Sequence, residues 1–145
     1  MVKPPSLPTP PRPQGHYVPT SRVGDLVVTA GMTPRVEGVL AVTGRVGDVV
    51  DLDEARRAAT IAADNALAAV VDAVGGTDRI AALVRMTVYV HAASGFTQHS
   101  SVADAATDAL VAHLGDRGRC ARSAVGVASL PGDAPVEIEL TAQVR

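Results

Sequence analysis

The sequence predicts a single α+β domain, in which a β-sheet carries two helices on one face. Three features lead to this prediction. The chain has 145 residues, which is the length of one domain. Two segments have the apolar spacing of helices, and several short segments alternate between apolar and polar residues as strands do. Their order, a hairpin, a helix, a strand, a helix and two strands, is that of a split α+β sandwich.

The amino-terminal segment differs in composition from the rest of the chain. Six prolines fall within residues 3–13, a density that excludes a helix or an inner strand. We therefore assign residues 1–14 to an extended tail and residues 15–145 to one domain. The tail could bind a partner as a polyproline segment, although a plain arm is the commoner role.

The first half of the domain begins with a buried strand and continues into a long helix. Leu26 to Ala30 form an apolar run that stops at Gly31, and the glycine-rich stretch after it predicts a hairpin. Asp51 and Glu54 have the spacing of a capping box, which starts a helix. An alanine stripe follows this start, and the glycine pair at 75–76 ends the helix.

The second half of the domain contains three predicted strands and one helix. Residues 84–91 alternate strictly and predict a strand, and a helix follows over about 97–114 with Gly115 as its stop. Residues 122–128 and 136–142 predict two further strands. A tight turn joins them, so we expect them to pair antiparallel.

The sheet is expected to be apolar on both faces. Strand 122–128 places Ala124 and Gly126 on one side and Val125 and Val127 on the other. Two helices can cover only one of these faces, so the pattern predicts oligomerisation.

Composition excludes several functions. The net charge is −2, the aromatic fraction is 2%, and Lys3 in the tail is the single lysine beside twelve arginines. Nucleic-acid binding is therefore not expected, and neither is Schiff-base chemistry. The four histidines lack metal-ligand spacing, so no metal or other cofactor is predicted.

The cellular location is also predicted from the sequence pattern. The amino end lacks the apolar core of a signal peptide, and no apolar run approaches the roughly 20 residues that span a membrane. A cytoplasmic protein without membrane contact is expected.

Arg122 is the first candidate for a functional residue. It opens a strand of small apolar residues, where a guanidinium must be paired with an acid or available to bind an anion. An ion pair with Glu137 or Glu139 on the next strand is about as well supported as an anion site. Cys120 lies two residues earlier, where the Arg122 charge would lower the thiol pKa, although a lone cysteine is usually a small core residue.

Glu137 and Glu139 are the second candidates. They lie two residues apart and so share one strand face. One of them could transfer protons or position a water molecule, while a solvated strand face is the alternative.

The carboxyl-terminal third resembles a known family. The segment from Arg122 to Pro131, read as Arg-Ser-Ala-Val-Gly-Val-Ala-Ser-Leu-Pro, and the later Pro-Val-Glu-Ile-Glu at 135–139 are similar to the signature of the Rid family, also called YjgF or L-PSP endoribonuclease. The Gly-His-Tyr-Val at 15–18 and the strand from Gly24 to Pro34 fit the family's early segments. The resemblance covers about residues 15–145 and is strongest to a longer subgroup.

The resemblance implies a chorismate-mutase-like fold with a mixed sheet, assembled as a homotrimer with a cleft at each subunit interface. It implies cofactor-free hydrolysis of reactive enamines and imines, such as 2-aminoacrylate and 2-iminopropionate, to 2-oxo acids and ammonia. The resemblance also implies that Arg122 and the adjoining Ser123 bind the substrate carboxylate. It implies that Glu137 positions or protonates around the attacking water, and that Tyr17 lines the pocket.

This chain also departs from the family pattern. Ala30, Gly31 and Met32 stand where the family has Ser-Gly-Gln, and Ser100 stands near the position of an asparagine in the second helix. These positions are still expected to contact substrate. Their loss of polar groups leaves a second hypothesis open, a trimer that binds or senses small carboxylates without catalysis. Ribonuclease activity is disfavoured by the charge and composition.

Overall fold

The computed structural model describes residues 2–145 and has a five-stranded mixed sheet with two α-helices on one face, which confirms the predicted fold class. The helices are α1 (Leu52–Val74) and α2 (His99–Leu114). The strands, in chain order, are β1 (Thr20–Val23), β2 (Leu26–Thr29), β3 (Arg35–Val36), β4 (Val39–Leu40), β5 (Ile80–His91), β6 (Ala121–Val127) and β7 (Val136–Val144). Strands β3 and β4 form the small separate hairpin that the glycine-rich segment predicts.

The strand order of the main sheet is β1-β2-β7-β5-β6. The expected pairing of β6 with β7 is therefore wrong, because β7 lies between β2 and β5 and is antiparallel to both. Strand β6 is parallel to β5 at the sheet edge. Neighbouring parallel strands need a crossover connection, and α2 provides it between β5 and β6.

Helix α1 begins and ends where the sequence predicts. The Glu54 amide donates to Asp51 Oδ1 at 2.8 Å, and the Asp51 amide donates to Glu54 Oε2 at 3.1 Å, so the capping box is complete. Gly75 ends the helix in the left-handed conformation, at φ 97°. The alanine stripe between these ends is buried against the sheet and α2, which lets the backbones approach closely.

Two strand boundaries differ from the prediction. Strand β5 starts at Ile80, and its pairing with β7 shifts register twice before Met86, so the first residues do not alternate regularly. Strand β1 was not predicted, since its Thr-Ser-Arg-Val sequence is short and mostly exposed at the sheet edge.

The two faces of the sheet have different surroundings. The side chains of Met86, Val88, Ile138 and Leu140 lie under the helices and are buried. We call the other side the open face; it is formed by alternate residues of β2, β5, β6 and β7, namely Leu26, Val28, Arg85, Thr87, Tyr89, Ser123, Val125, Glu137, Glu139 and Thr141. Leu26, Val28 and Val125 on this face are 42–43% exposed. Neither helix within residues 2–145 has the length and apolarity needed to cross a bilayer.

Candidate functional site

Arg122 lies near the start of β6, on the side that α2 covers. Its partner in the parallel register is Met86, which is buried under the helices, so the guanidinium points toward α2. Nη2 donates to Asp104 Oδ1 at 2.6 Å and to Ser100 Oγ at 3.0 Å, and Nη1 donates to Thr107 Oγ1 at 2.8 Å. We call these four residues the arginine cluster.

The arginine cluster follows from helix geometry. Ser100, Asp104 and Thr107 are spaced by four and three residues, so they lie on one face of α2 opposite the edge strand. The predicted alternative of a pair between Arg122 and Glu137 or Glu139 is wrong, because β7 is not the neighbour of β6. Within this chain Arg122 is therefore paired, and its acid is Asp104.

Glu137 and Glu139 share the open face, as their spacing predicts. Tyr89 Oη donates to Glu139 Oε1 at 2.8 Å, and this hydrogen bond, together with burial and the charge of Glu139, raises the pKa of Tyr89. Glu137 lies directly across from Tyr89 in the register. We call these three residues the acidic cluster.

Glu137 differs from Glu139 in its surroundings. Burial raises the pKa of the Glu137 carboxyl above its ordinary value, and the neighbouring charge of Glu139 raises it further. In the part of the chain that the structure describes, residues 2–145, no basic side chain forms an ion pair with Glu137. These surroundings favour the protonated form of the Glu137 carboxyl.

Gly31 lies beside Glu137. A Cβ atom on residue 31 would come within 2.6 Å of Glu137 Cδ, so any side chain at this position would displace the carboxylate. Tyr17, Gly31 and Met32 line one shallow pocket together with the end of the proline-rich segment. Gly31 therefore lies both in this pocket and against the acidic cluster.

Ala30 and Met32 contribute packing and backbone contacts to this region. Ala30 packs against the hydrophobic core, and Met32 is 5% exposed. The Met32 amide donates to the Ile138 carbonyl at 2.7 Å, which ties the segment to β7. Their side chains offer no polar group to a ligand.

The predicted site residues form two groups that do not meet within one protomer. Arg122 aligns through Met86 with Leu140, whereas Glu137 aligns through Tyr89 with Val125. Their backbone positions therefore differ by three residues along the strand direction and by two strand spacings, which corresponds to about 14 Å. Their side chains lie on opposite faces of the sheet. Ser100 belongs to the arginine cluster. Ser123 lies on the open face, where its Oγ accepts from Arg85 Nη2 at 2.6 Å, so it does not share an anion site with Arg122 in the protomer.

Several residues of these clusters were missed by sequence reasoning. Asp104 and Thr107 could have been found from the polar spacing on α2, once the strand–helix–strand crossover is recognised as parallel. Tyr89 could have been found from the alternation of β5, which places it on the open face. The expected lowering of the Cys120 pKa is wrong: burial raises it, and the charges of Arg122 and Arg85 only partly offset this.

One cavity lies away from both clusters. It has a volume of about 720 Å³ between residues 6–14, the β3–β4 hairpin and α1. Asp64 lines it and is bonded to His113 Nε2 at 3.0 Å, and burial raises the Asp64 pKa despite this partner. The pair joins α1 to α2. Within residues 2–145, no three His, Cys, Asp or Glu side chains are arranged to hold a metal ion.

Comparison with known proteins gives consistent matches. The family model described as Endoribonuclease L-PSP matches residues 8–144. Protein TCP17 of Trypanosoma cruzi is 32% identical over 140 residues, which are 96% of this chain and 88% of that protein. A crystallised protein of unknown function from Agrobacterium tumefaciens has a TM-score of 0.88 at 37% identity, over 90% of this chain and 82% of that chain. E. coli TdcF, crystallised with bound serine, has a TM-score of 0.68 at 26% identity, over 100% and 99% of the two chains.

Proposed function

Because this chain belongs to the Endoribonuclease L-PSP family, we propose that it hydrolyses small 2-imino acids and their enamine tautomers to 2-oxo acids and ammonia. The observation that carries the proposal is the Glu137 carboxyl, half-buried on the open face, with a raised pKa and in contact with Gly31, which lines a pocket together with Tyr17. A carboxyl whose pKa is shifted toward neutrality exchanges protons with substrate more effectively than an ordinary one.

The reaction needs a proton acceptor, a proton donor and a site for the substrate carboxylate. Water adds to the imine carbon and forms a C–O bond while Glu137 takes one of its protons. Glu137 returns this proton to the nitrogen, which gives a carbinolamine. The C–N bond then breaks as Glu137 transfers the hydroxyl proton to the amine, which leaves as ammonia, and the carbonyl of the 2-oxo acid remains. An enamine first gains a proton at its terminal carbon to become the imine.

The carboxylate site is proposed to come from a second protomer. Arg122 and Glu137 are about 14 Å apart and face opposite ways in one chain, so a three-carbon substrate can reach both only across an interface. The exposed Leu26, Val28 and Val125 of the open face provide apolar surface for such an assembly. We therefore propose a homotrimer in which the arginine cluster of one protomer approaches the acidic cluster of the next.

The relative with bound serine supports the substrate class. Serine carries a carboxylate and an α-nitrogen, as a 2-imino acid does, and TdcF is similar to this chain over nearly the whole length of both. The proposal transfers only this pattern of groups to the present chain.

A turnover assay tests the reaction. 2-Aminoacrylate is generated from serine by a dehydratase, and pyruvate release is followed with and without the protein. The wild type is expected to accelerate pyruvate formation, and Arg122→Ala to abolish the acceleration. Arg119→Ala is the matched control, since the Arg119 side chain is exposed and its ion pair with Asp116 is long, at 4.0 Å. Equal rates with and without the wild-type protein would refute the proposal.

A mixing experiment tests the shared site. Arg122→Ala and Glu137→Gln are each inactive by expectation, and the two are unfolded and refolded together. If each site takes one residue from each of two protomers, about a quarter of all sites in a randomly refolded 1:1 mixture regain both residues and the activity returns to that level. A site contained in one protomer would regain nothing.

A second function, non-catalytic binding of small carboxylates, is favoured by one observation. Ala30 and Met32 direct no polar side-chain group at the pocket, so substrate contacts beyond the carboxylate are few. Saturable binding of pyruvate without turnover of any imine would support this function over catalysis.

A further inference from the structure

The Arg122 guanidinium already holds an anion within its own chain. Asp104 Oδ1 is 2.6 Å from Nη2, the shortest of the four hydrogen bonds that the guanidinium donates. The Asp104 side chain is 58% exposed, whereas that of Arg122 is 22% exposed. The acid can therefore move into solvent more easily than the arginine can.

The position of Asp104 matters because of the shape of a guanidinium. A carboxylate binds arginine in a bidentate way either through Nη1 and Nη2 or through Nε and Nη2. Nη2 belongs to both arrangements, and here it already donates to Asp104 and to Ser100. A ligand carboxylate that binds in either way must displace Asp104 or Ser100 from Nη2, and Asp104 is the charged partner that competes with it for the guanidinium.

We propose that Asp104 is an internal counter-ion that competes with the substrate carboxylate for Arg122 and so sets how tightly carboxylates bind. This inference rests on the proposed function, in which Arg122 is the carboxylate site. Asp104 would weaken binding of every carboxylate ligand to the same degree.

The competing interpretation is that Asp104 positions Arg122 for the ligand. The two interpretations predict opposite signs for Asp104→Asn, which keeps the size and hydrogen-bonding capacity of the side chain but removes its charge. Competition predicts tighter binding in the variant, and positioning predicts weaker binding. Asp108→Asn is the matched control, since Asp108 lies one turn later on α2 and is not a hydrogen-bond partner of Arg122.

The experiment measures pyruvate binding by calorimetry to the wild type, Asp104→Asn and Asp108→Asn. Asp104→Asn is expected to lower the Kd about two- to fivefold, the range that an exposed ion pair contributes, with Asp108→Asn unchanged. In the turnover assay the same variant is expected to lower KM with kcat unchanged, because the competing contact acts on binding alone. Its Tm is expected to fall, since an ion pair is lost.

An unchanged or higher Kd in Asp104→Asn overturns the inference. Failure of the proposed function has a different signature, which is equal pyruvate formation by the wild type and Arg122→Ala. That comparison does not involve Asp104, so the two failures are distinguishable.

Discussion

The arginine cluster and the acidic cluster show two ways in which one chain treats a charge on a β-strand. Arg122 has an acid and two hydroxyl groups around it, all supplied by the neighbouring helix. Glu137 is partly buried and lies beside a second carboxylate, that of Glu139, and both conditions disfavour its charged form. The first charge stabilises the protomer, and the second destabilises it at neutral pH. Unfavourable charges of this kind are concentrated at functional sites, so the acidic cluster is where chemistry is expected.

The largest effect is expected at Glu137, where a substitution should lower activity and raise stability, unlike one in the arginine cluster. Glu137→Gln is expected to lower kcat/KM about 10²–10⁴-fold, which is the usual loss when a proton-transferring group is removed. The same change should raise the Tm at neutral pH. The folded-state pKa of Glu137 lies above its unfolded value, so its contribution to stability is present at low pH and is lost as pH rises through the folded pKa.

Thermal unfolding at two pH values checks this sign. The difference in Tm between Glu137→Gln and the wild type should be largest at neutral pH and should vanish at a pH below the ordinary glutamate pKa. A variant that is less stable than the wild type at neutral pH would show that Glu137 has a stabilising partner in the assembly.

The second prediction concerns Arg122, where activity and stability should fall together. Arg122→Ala leaves Asp104, Ser100 and Thr107 without their shared donor and is expected to lower the free energy of unfolding by about 1–2 kcal/mol, since part of the cluster is exposed to water. Urea denaturation measures the change. Arg119→Ala should stay within about 0.5 kcal/mol of the wild type, as surface changes usually do.

The smallest expected effect sharpens the contrast within the acidic cluster. Glu139→Gln removes the like charge that is the second cause of the raised Glu137 pKa, while burial, the first cause, remains. If ionised Glu137 accepts the proton from water, kcat/KM falls as pH falls through its pKa. The acid limb of the pH profile should therefore move to lower pH in Glu139→Gln. A limb that does not move, or that moves to higher pH, would mean that it reports another group.

Local features of the fold could be predicted from short segments of sequence. The capping box at Asp51 and Glu54 and the left-handed Gly75 depend on residues within one helix turn, and the structure has both where expected. The shared face of Glu137 and Glu139 also follows from strand alternation alone. The family resemblance was carried by the contiguous segment after Arg122, and the family match confirms it.

The partner of Arg122 could not be obtained in the same way. Prediction placed β6 beside β7 because the two are joined by a short turn, whereas the sheet places β6 outside β5. The choice between these neighbours depends on the α2 crossover and on the burial of β7 between two strands. Both are properties of the assembled sheet. With the wrong neighbour, Glu137 and Glu139 looked like the acids within reach of Arg122, and Asp104 was overlooked.

The sequence by itself therefore determined both helices, the capping of α1, the family and the identity of the charged residues on β6 and β7. Only the tertiary structure decided that Arg122 is neutralised by Asp104 on α2 while Glu137 stays beside another carboxylate on the open face. The physical reason is range. Capping and alternation act between residues a few positions apart, whereas strand order and the cost of a buried charge depend on which distant segments lie alongside.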